Sequence, residues 1–243
     1  HRVARAAAAV AAGSTPDPAT APLGREGAFQ LIARDRYLLL IALLMLVLNW
    51  VNTNGEYILS RSVAAEAERR LAFVTVADPR AFKEAFIGSF YADFFSWVNL
   101  VGMLAQLFLV SRVLKWFGVR VALFVLPFIA LGGYGLLAFA PLLGLVKIAK
   151  IAENATDYSL QNTARQALFL TTSREAKYKA KAAIDSLFVR GGDLLSTALV
   201  FIGAQYALAP RAFAAINLVL VMAWLAIAIG IAREHRKRAA ISG

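Results

Sequence analysis

The chain contains no cysteine, and its only histidines are His1 and His235. The first absence removes disulfide frameworks, thiolate metal sites and cysteine nucleophiles together. The second leaves almost no ligands for a catalytic metal. It also deprives Ser60, Ser96 and Ser196 of the histidine that a nucleophilic triad needs. A Walker-type glycine loop is missing as well, so no cofactor and no enzymatic activity are expected. Acids are scarce: 15 Asp and Glu stand against 26 Lys and Arg, for a net charge of +11 over 243 residues.

Apolar residues fill what is left. They make up 60% of the chain, with a mean hydropathy of +0.63. Several runs approach the ~20 residues that cross hydrocarbon. The expectation is an all-α integral membrane protein with the lipid bilayer as its surroundings. Six spans can be drawn: A over residues 37–60, B over 86–110, C over 119–140, D over 142–170, E over 182–209 and F over 212–232.

The loops orient them. Lys and Arg number five in residues 1–36, three in 111–120, four in 171–182 and four after 232, sixteen in all. The opposite side has five in 61–85 plus Arg211, six in all. The positive-inside rule then places both termini in the cytoplasm. Because the basic residues lie in short loops beside spans, no nucleic-acid partner is expected.

Three regions follow: a cytoplasmic linker over 1–36, a transmembrane domain over 37–232 and a basic cytoplasmic tail over 233–243. The Ala-, Pro- and Gly-rich start lacks a cleavable signal pattern and reads as the link to a preceding segment. Residues 62–73 have the spacing of a short external helix, and Asp78 followed by Pro79 is a helix cap and first helical position.

Span D is the informative one. At about 100° per residue, Lys147, Lys150, Glu153, Asn154, Asp157, Tyr158, Gln161 and Arg165 share an arc of roughly 140°. Each charge costs on the order of 2.5 to 3.5 kcal/mol at a helix centre, so such a stripe faces a bundle interior or a water-filled pathway. Span A gathers Asn49, Asn52, Thr53 and Glu56 on one face, and span E gathers Asp185, Ser186, Arg190, Asp193 and Ser196. Span B, with Asp93, is intermediate, whereas C and F carry only Tyr134 and Asn217 and read as lipid-facing.

The order polar, intermediate, apolar, then polar, polar, apolar suits two three-helix repeats, the plan of half a major-facilitator transporter. Candidate pathway residues are Asn52, Glu56, Asp93, Lys147, Lys150, Glu153, Asn154, Asp157, Gln161, Arg165, Arg190 and Asp193. Glu56 is expected to face the cavity of span D. Lys150, Glu153 and Asp157, on adjacent turns, are expected to be joined by Arg190 or Asp193. A secondary transporter is the leading class, and a six-helix assembly subunit or bilayer enzyme is the alternative.

The stretch Glu153-Asn-Ala-Thr-Asp-Tyr-Ser-Leu160, continued by Arg165-Gln-Ala-Leu168, Lys179-Ala-Lys-Ala-Ala-Ile-Asp185 and Arg190-Gly-Gly-Asp193, resembles the late part of the ATP/ADP exchangers, as does Asn52-Thr-Asn-Gly-Glu56. The resemblance implies the C-terminal six-helix half of a twelve-helix nucleotide antiporter of the major-facilitator type. It implies an N-terminal half or a second copy as partner, and a nucleotide or another anion as solute. At two positions the exchanger pattern has Lys where this chain has Asp157 and Asp193.

Overall fold

The computed structural model describes residues 27–140 and 142–242; within them every regular element is a helix. Of the stretch read as a linker, 1–26 lie outside the described residues, and α1 (Ala28–Arg34) occupies part of the rest.

The longest element is α2 (Arg36–Leu71), whose Asp35 cap accepts the Tyr37 N–H at 2.9 Å. It absorbs the external helix expected over 62–73 as its own continuation as far as Leu71, because nothing in that Ala- and Glu-rich stretch breaks the hydrogen-bond ladder. α3 (Pro79–Leu104) starts at the anticipated cap: Asp78 accepts from the N–H groups of Arg80 at 2.9 Å and Ala81 at 3.1 Å.

A π-helical turn, Ala105–Val110, leads from α3 into α4 (Ser111–Phe139), which is broken at Gly118 by φ 73°, ψ 171°. Only glycine takes that conformation without strain, so the basic loop between spans B and C is reduced to one hinge residue. α5 (Leu143–Thr156), a second π turn (Asp157–Gln161) and α6 (Asn162–Leu168) form the charged rod of span D.

The basic stretch over 171–182, expected to be a connection, is mostly helix. After Ser173 the chain passes through a π turn (Ala176–Ala180), α7 (Lys181–Ala183) and another π turn (Ile184–Phe188) into α8 (Val189–Gln205). Arg174, Lys177, Lys179 and Lys181 therefore sit on helical backbone. α9 (Pro210–Ser242) carries the last span and the basic tail in one piece.

Four segments are long and apolar enough to cross a membrane: Arg36–Leu71, Pro79–Phe139, Ala176–Gln205 and Pro210–Arg238. The second has 61 residues and is interrupted only at Gly118. Span D is not among the four, since its charges exclude it from an apolar class.

α2 is the central helix, packed on α9, α8, α3 and α5, while α4 packs on α9 and α5. This corrects the lipid-facing reading of spans C and F. In α9, Phe213, Asn217, Val221, Trp224, Ala228 and Ile231 are buried at steps of four or three, while Val219 and Met222 are exposed on the other side. A helix packed on one side and apolar on the other is apolar all round, so hydropathy alone does not separate its core face from its outer face. Between membrane helices such contacts stabilise by close van der Waals packing rather than by exclusion of water.

Candidate functional site

α2 and α5 meet through opposite charges. Lys150, 1% exposed, points its ammonium at Glu56 Oε1 (3.2 Å), Glu153 Oε2 (3.2 Å) and Asn52 Oδ1 (3.0 Å). Asn154 Nδ2 donates to the same Glu56 oxygen at 3.0 Å. Five of the twelve candidates, Asn52, Glu56, Lys150, Glu153 and Asn154, thus converge in one cluster. The partner that joins Lys150 and Glu153 is Glu56 rather than Arg190 or Asp193.

Gly55 makes room for this. A Cβ there would lie 2.1 Å from the Tyr134 hydroxyl and 2.9 Å from Lys150 Nζ. The only side chain compatible with the buried ammonium at that point of α2 is a hydrogen.

From the cluster a buried relay of neutral groups runs across the bundle. The Tyr134 hydroxyl of α4 lies 3.0 and 3.2 Å from the two Glu153 oxygens and 3.3 Å from the Val51 carbonyl. That carbonyl also accepts from Asn217 Nδ2 of α9 at 3.1 Å. Asn217 Oδ1 in turn accepts from Asn54 at 3.0 Å, and Asn54 Oδ1 accepts from Ser196 of α8 at 2.6 Å. Each member is buried, and each unpaired group would carry a desolvation penalty.

Asn54, Tyr134, Ser196 and Asn217 are not among the candidates. Tyr134 and Asn217 carry the signal of a lone polar residue in an apolar helix, whereas Asn54 and Ser196 lie on helices with other polar residues.

Beside the cluster, a cavity of about 590 Å³ is lined by Asn49, Asn52, Asp157, Arg165, Lys181 and Asp185, together with Tyr158, Asn162, Gln166 and Phe169. Its fixed charges are already opposed: Arg165 lies 3.7 Å from Asp157, and Lys181 lies 3.4 Å from Asp185. The first pair is loose, for the Asp157 Oδ1 it involves has no hydrogen-bond partner.

Gln161 is fully buried, its amide atoms have no hydrogen-bond partner, and it does not line the cavity. The π turn Asp157–Gln161 accounts for its place: the wider turn holds an extra residue and shifts the phase of everything beyond it. Asn162 and Gln166 face the cavity instead.

Lys147 pairs with Asp93 and sits 5.2 Å from the Phe90 ring, in a second recess of about 520 Å³ toward the 61–85 end. In the same recess the Arg70 bond to Glu66, assisted by Arg69, holds that carboxyl below the usual carboxylate range. Arg190, 81% exposed, pairs with Asp193 at 3.5 Å, and Asp193 accepts from Thr53 at 2.8 Å. These two residues lie apart from the Lys150 cluster. Among the described residues no group of three or more His, Asp or Glu is placed to hold a metal.

A bundle of long apolar helices with a charge network in its interior and a polar cavity beside it defines a multi-pass membrane protein. Its family follows from comparison: the TLC ATP/ADP transporter model matches residues 7–235, and the chain belongs to that family. ADP,ATP carrier protein 1 of Chlamydia pneumoniae is 27% identical over 228 residues, covering 84% of this chain and 41% of that protein. ADP,ATP carrier protein 2 of the same organism is 25% identical over 169 residues, covering 59% of this chain and 31% of that protein. The chain therefore spans less than half the length of these curated relatives. No solved structure matches it.

Proposed function

We propose that this chain is one six-helix half of a secondary transporter that moves a solute through the 590 Å³ cavity by alternating access. In this reading Pro79–Phe139 makes two crossings that meet at Gly118, and the charged segment 143–171 makes another, giving two three-helix units. Both termini face the cytoplasm of a bacterial inner membrane, and a second half or a second copy completes the pathway.

The observation that carries the reading is the adjacency of cavity and charge cluster. The cavity lies along the 41–52 part of α2, on the side of the basic termini, and the Glu56–Lys150–Glu153 cluster closes its inner end through Asn52. A membrane scaffold has no use for so many buried charges, each of which is costly there.

The solute is a nucleotide or another anion, which fits the carriers that the chain resembles. The chemistry is competition: an entering anionic group takes the Arg165 guanidinium from its loose pairing with Asp157, and the Lys181 ammonium from Asp185. The cavity's amides, Asn49, Asn52, Asn162 and Gln166, supply donors and acceptors for the rest of the molecule, with Tyr158 and Phe169 as apolar surface.

The test is counterflow of labelled ADP against internal ATP in proteoliposomes holding the full-length protein. Exchange that falls at least tenfold in Arg165→Met, with unchanged protein insertion, supports the reading. Exchange indifferent to Arg165, or no exchange with any nucleotide, overturns the nucleotide assignment.

A further inference from the structure

The Lys150 cluster contains two carboxylates and one ammonium. Among the described residues no other cation pairs with Glu56 or Glu153. Glu153 is 5% exposed, whereas the Glu56 side chain is 38% exposed, so of the two carboxylates the charge on Glu153 is the expensive one. Binding one proton removes it.

We propose that Glu153 holds one exchangeable proton at the inner end of the cavity. The hydrogen-bond geometry gives the proton a place in both states. With Glu153 ionised, the Tyr134 hydroxyl donates to the carboxylate at 3.0 Å. With Glu153 protonated, its own O–H donates to the Tyr134 oxygen, and the Tyr134 proton turns to the Val51 carbonyl, 3.3 Å away. That carbonyl already accepts from Asn217 and, as a mid-helix residue of α2, from the helix ladder, so the Tyr134 hydroxyl joins it as a third, weaker donor. Each hydroxyl thus keeps an acceptor within 3.3 Å in either state, so gain or loss of the proton needs a hydroxyl rotation and no repacking. Glu56, with 38% of its side chain exposed, is the outermost acid of the cluster.

The other titratable neighbours leave this count unchanged. From α3, Tyr91 is a neutral phenol within electrostatic range of Glu56, and Asp93 is matched by Lys147. From the π turn, Tyr158 is a second neutral phenol within that range, and Asp157 is matched by Arg165. α9 contributes only the neutral Asn217.

The proposal deepens the transport reading, since a proton beside the solute cavity is a coupling ion, but it is tested without any solute. The experiment is infrared difference spectroscopy during pH titration of the full-length protein in lipid nanodiscs, comparing variants. The wild type is expected to show one protonated-carboxyl band per chain, lost as the pH rises. The band is absent from Glu153→Gln and from Glu56→Gln, each of which leaves one carboxylate opposite one ammonium. Its intensity doubles in Lys150→Met. In the near-isosteric Tyr134→Phe it shifts in frequency, because the protonated carboxyl loses its acceptor.

A wild type without the band, or a band that survives both Gln variants, overturns the proposal. A band unmoved by Tyr134→Phe puts the proton on Glu56 and overturns the assignment to Glu153. Loss of nucleotide exchange in the same preparations, with the band intact, counts against the transport reading alone.

Discussion

The polar side chains of α2 and α5 differ from those of α8 in where their partners lie. Where α2 and α5 meet, the charges satisfy one another: Lys150 is 1% exposed and reaches three oxygens on two helices, and of its two carboxylate partners only Glu56 is part-exposed. On α8, Arg190 is 81% exposed and meets only Asp193, one turn away on its own helix. The segment Ala176–Gln205 is also the least buried of the four apolar segments. A buried charge needs several geometrically exact partners, whereas an exposed one needs none. The α2–α5 charges are therefore fixed by several partners at once, whereas the outer face of α8 that carries Arg190 is not; its inner face still joins Asp193 to Thr53 and Ser196 to Asn54.

The largest test of that contrast is Lys150→Met. It removes the cation shared by two carboxyls, and at a pH high enough to keep them ionised the loss of one partner of a buried pair costs roughly 3 to 5 kcal/mol. Denaturant unfolding of the full-length protein in detergent micelles measures it. A loss under about 1 kcal/mol would mean that water reaches the cluster freely.

An intermediate effect is expected from Gly55→Ala, which forces the new methyl against the Tyr134 hydroxyl and the Lys150 ammonium. Overpacking of this kind costs typically 1 to 3 kcal/mol. Adding Tyr134→Phe, which removes the closest atom, should recover part of the loss. Equal stability of single and double variants would show that Tyr134 is not the obstacle.

The smallest effect is expected from Arg190→Gln, within about 0.5 kcal/mol of the wild type, as for surface substitutions away from buried features. A loss as large as that of Lys150→Met would erase the contrast and make the α8 pair part of the core.

Much of the inner network was legible because charge in an apolar run is conspicuous. Lys150, Glu153 and Asn154 on one helix face, and Asn52 and Glu56 on another, do meet. What escaped notice had a physical reason in each case. Tyr134 and Asn217 are single polar residues in helices whose outer and inner faces are equally apolar, so periodicity gave no phase to read. Gln161 left the face, and Asn162 and Gln166 joined it, because a π turn leaves no mark in composition. The helix over 62–71 was taken for a separate element, since hydropathy registers where the apolar run ends and not where the backbone ladder does.

The 36 residues of α2 make a rod about 54 Å long at ~1.5 Å per residue, against roughly 30 Å of hydrocarbon. Glu56 lies partway along it, and the last residue, Leu71, is 15 positions beyond, or about 22 Å. A rod pivoting at Glu56 behaves as a two-armed lever. A tilt of about 10° swings the Leu71 end by roughly 4 Å, about the width of a methyl group, and moves the opposite arm, which carries Asn49 and Met45, the other way. Under the proposed transport cycle, the arm that walls the cavity and the arm that bears Glu66, Arg69 and Arg70 would then move in opposite senses. A small rotation about the Lys150 contact would thus be read out as opposed displacements at the two ends of one helix.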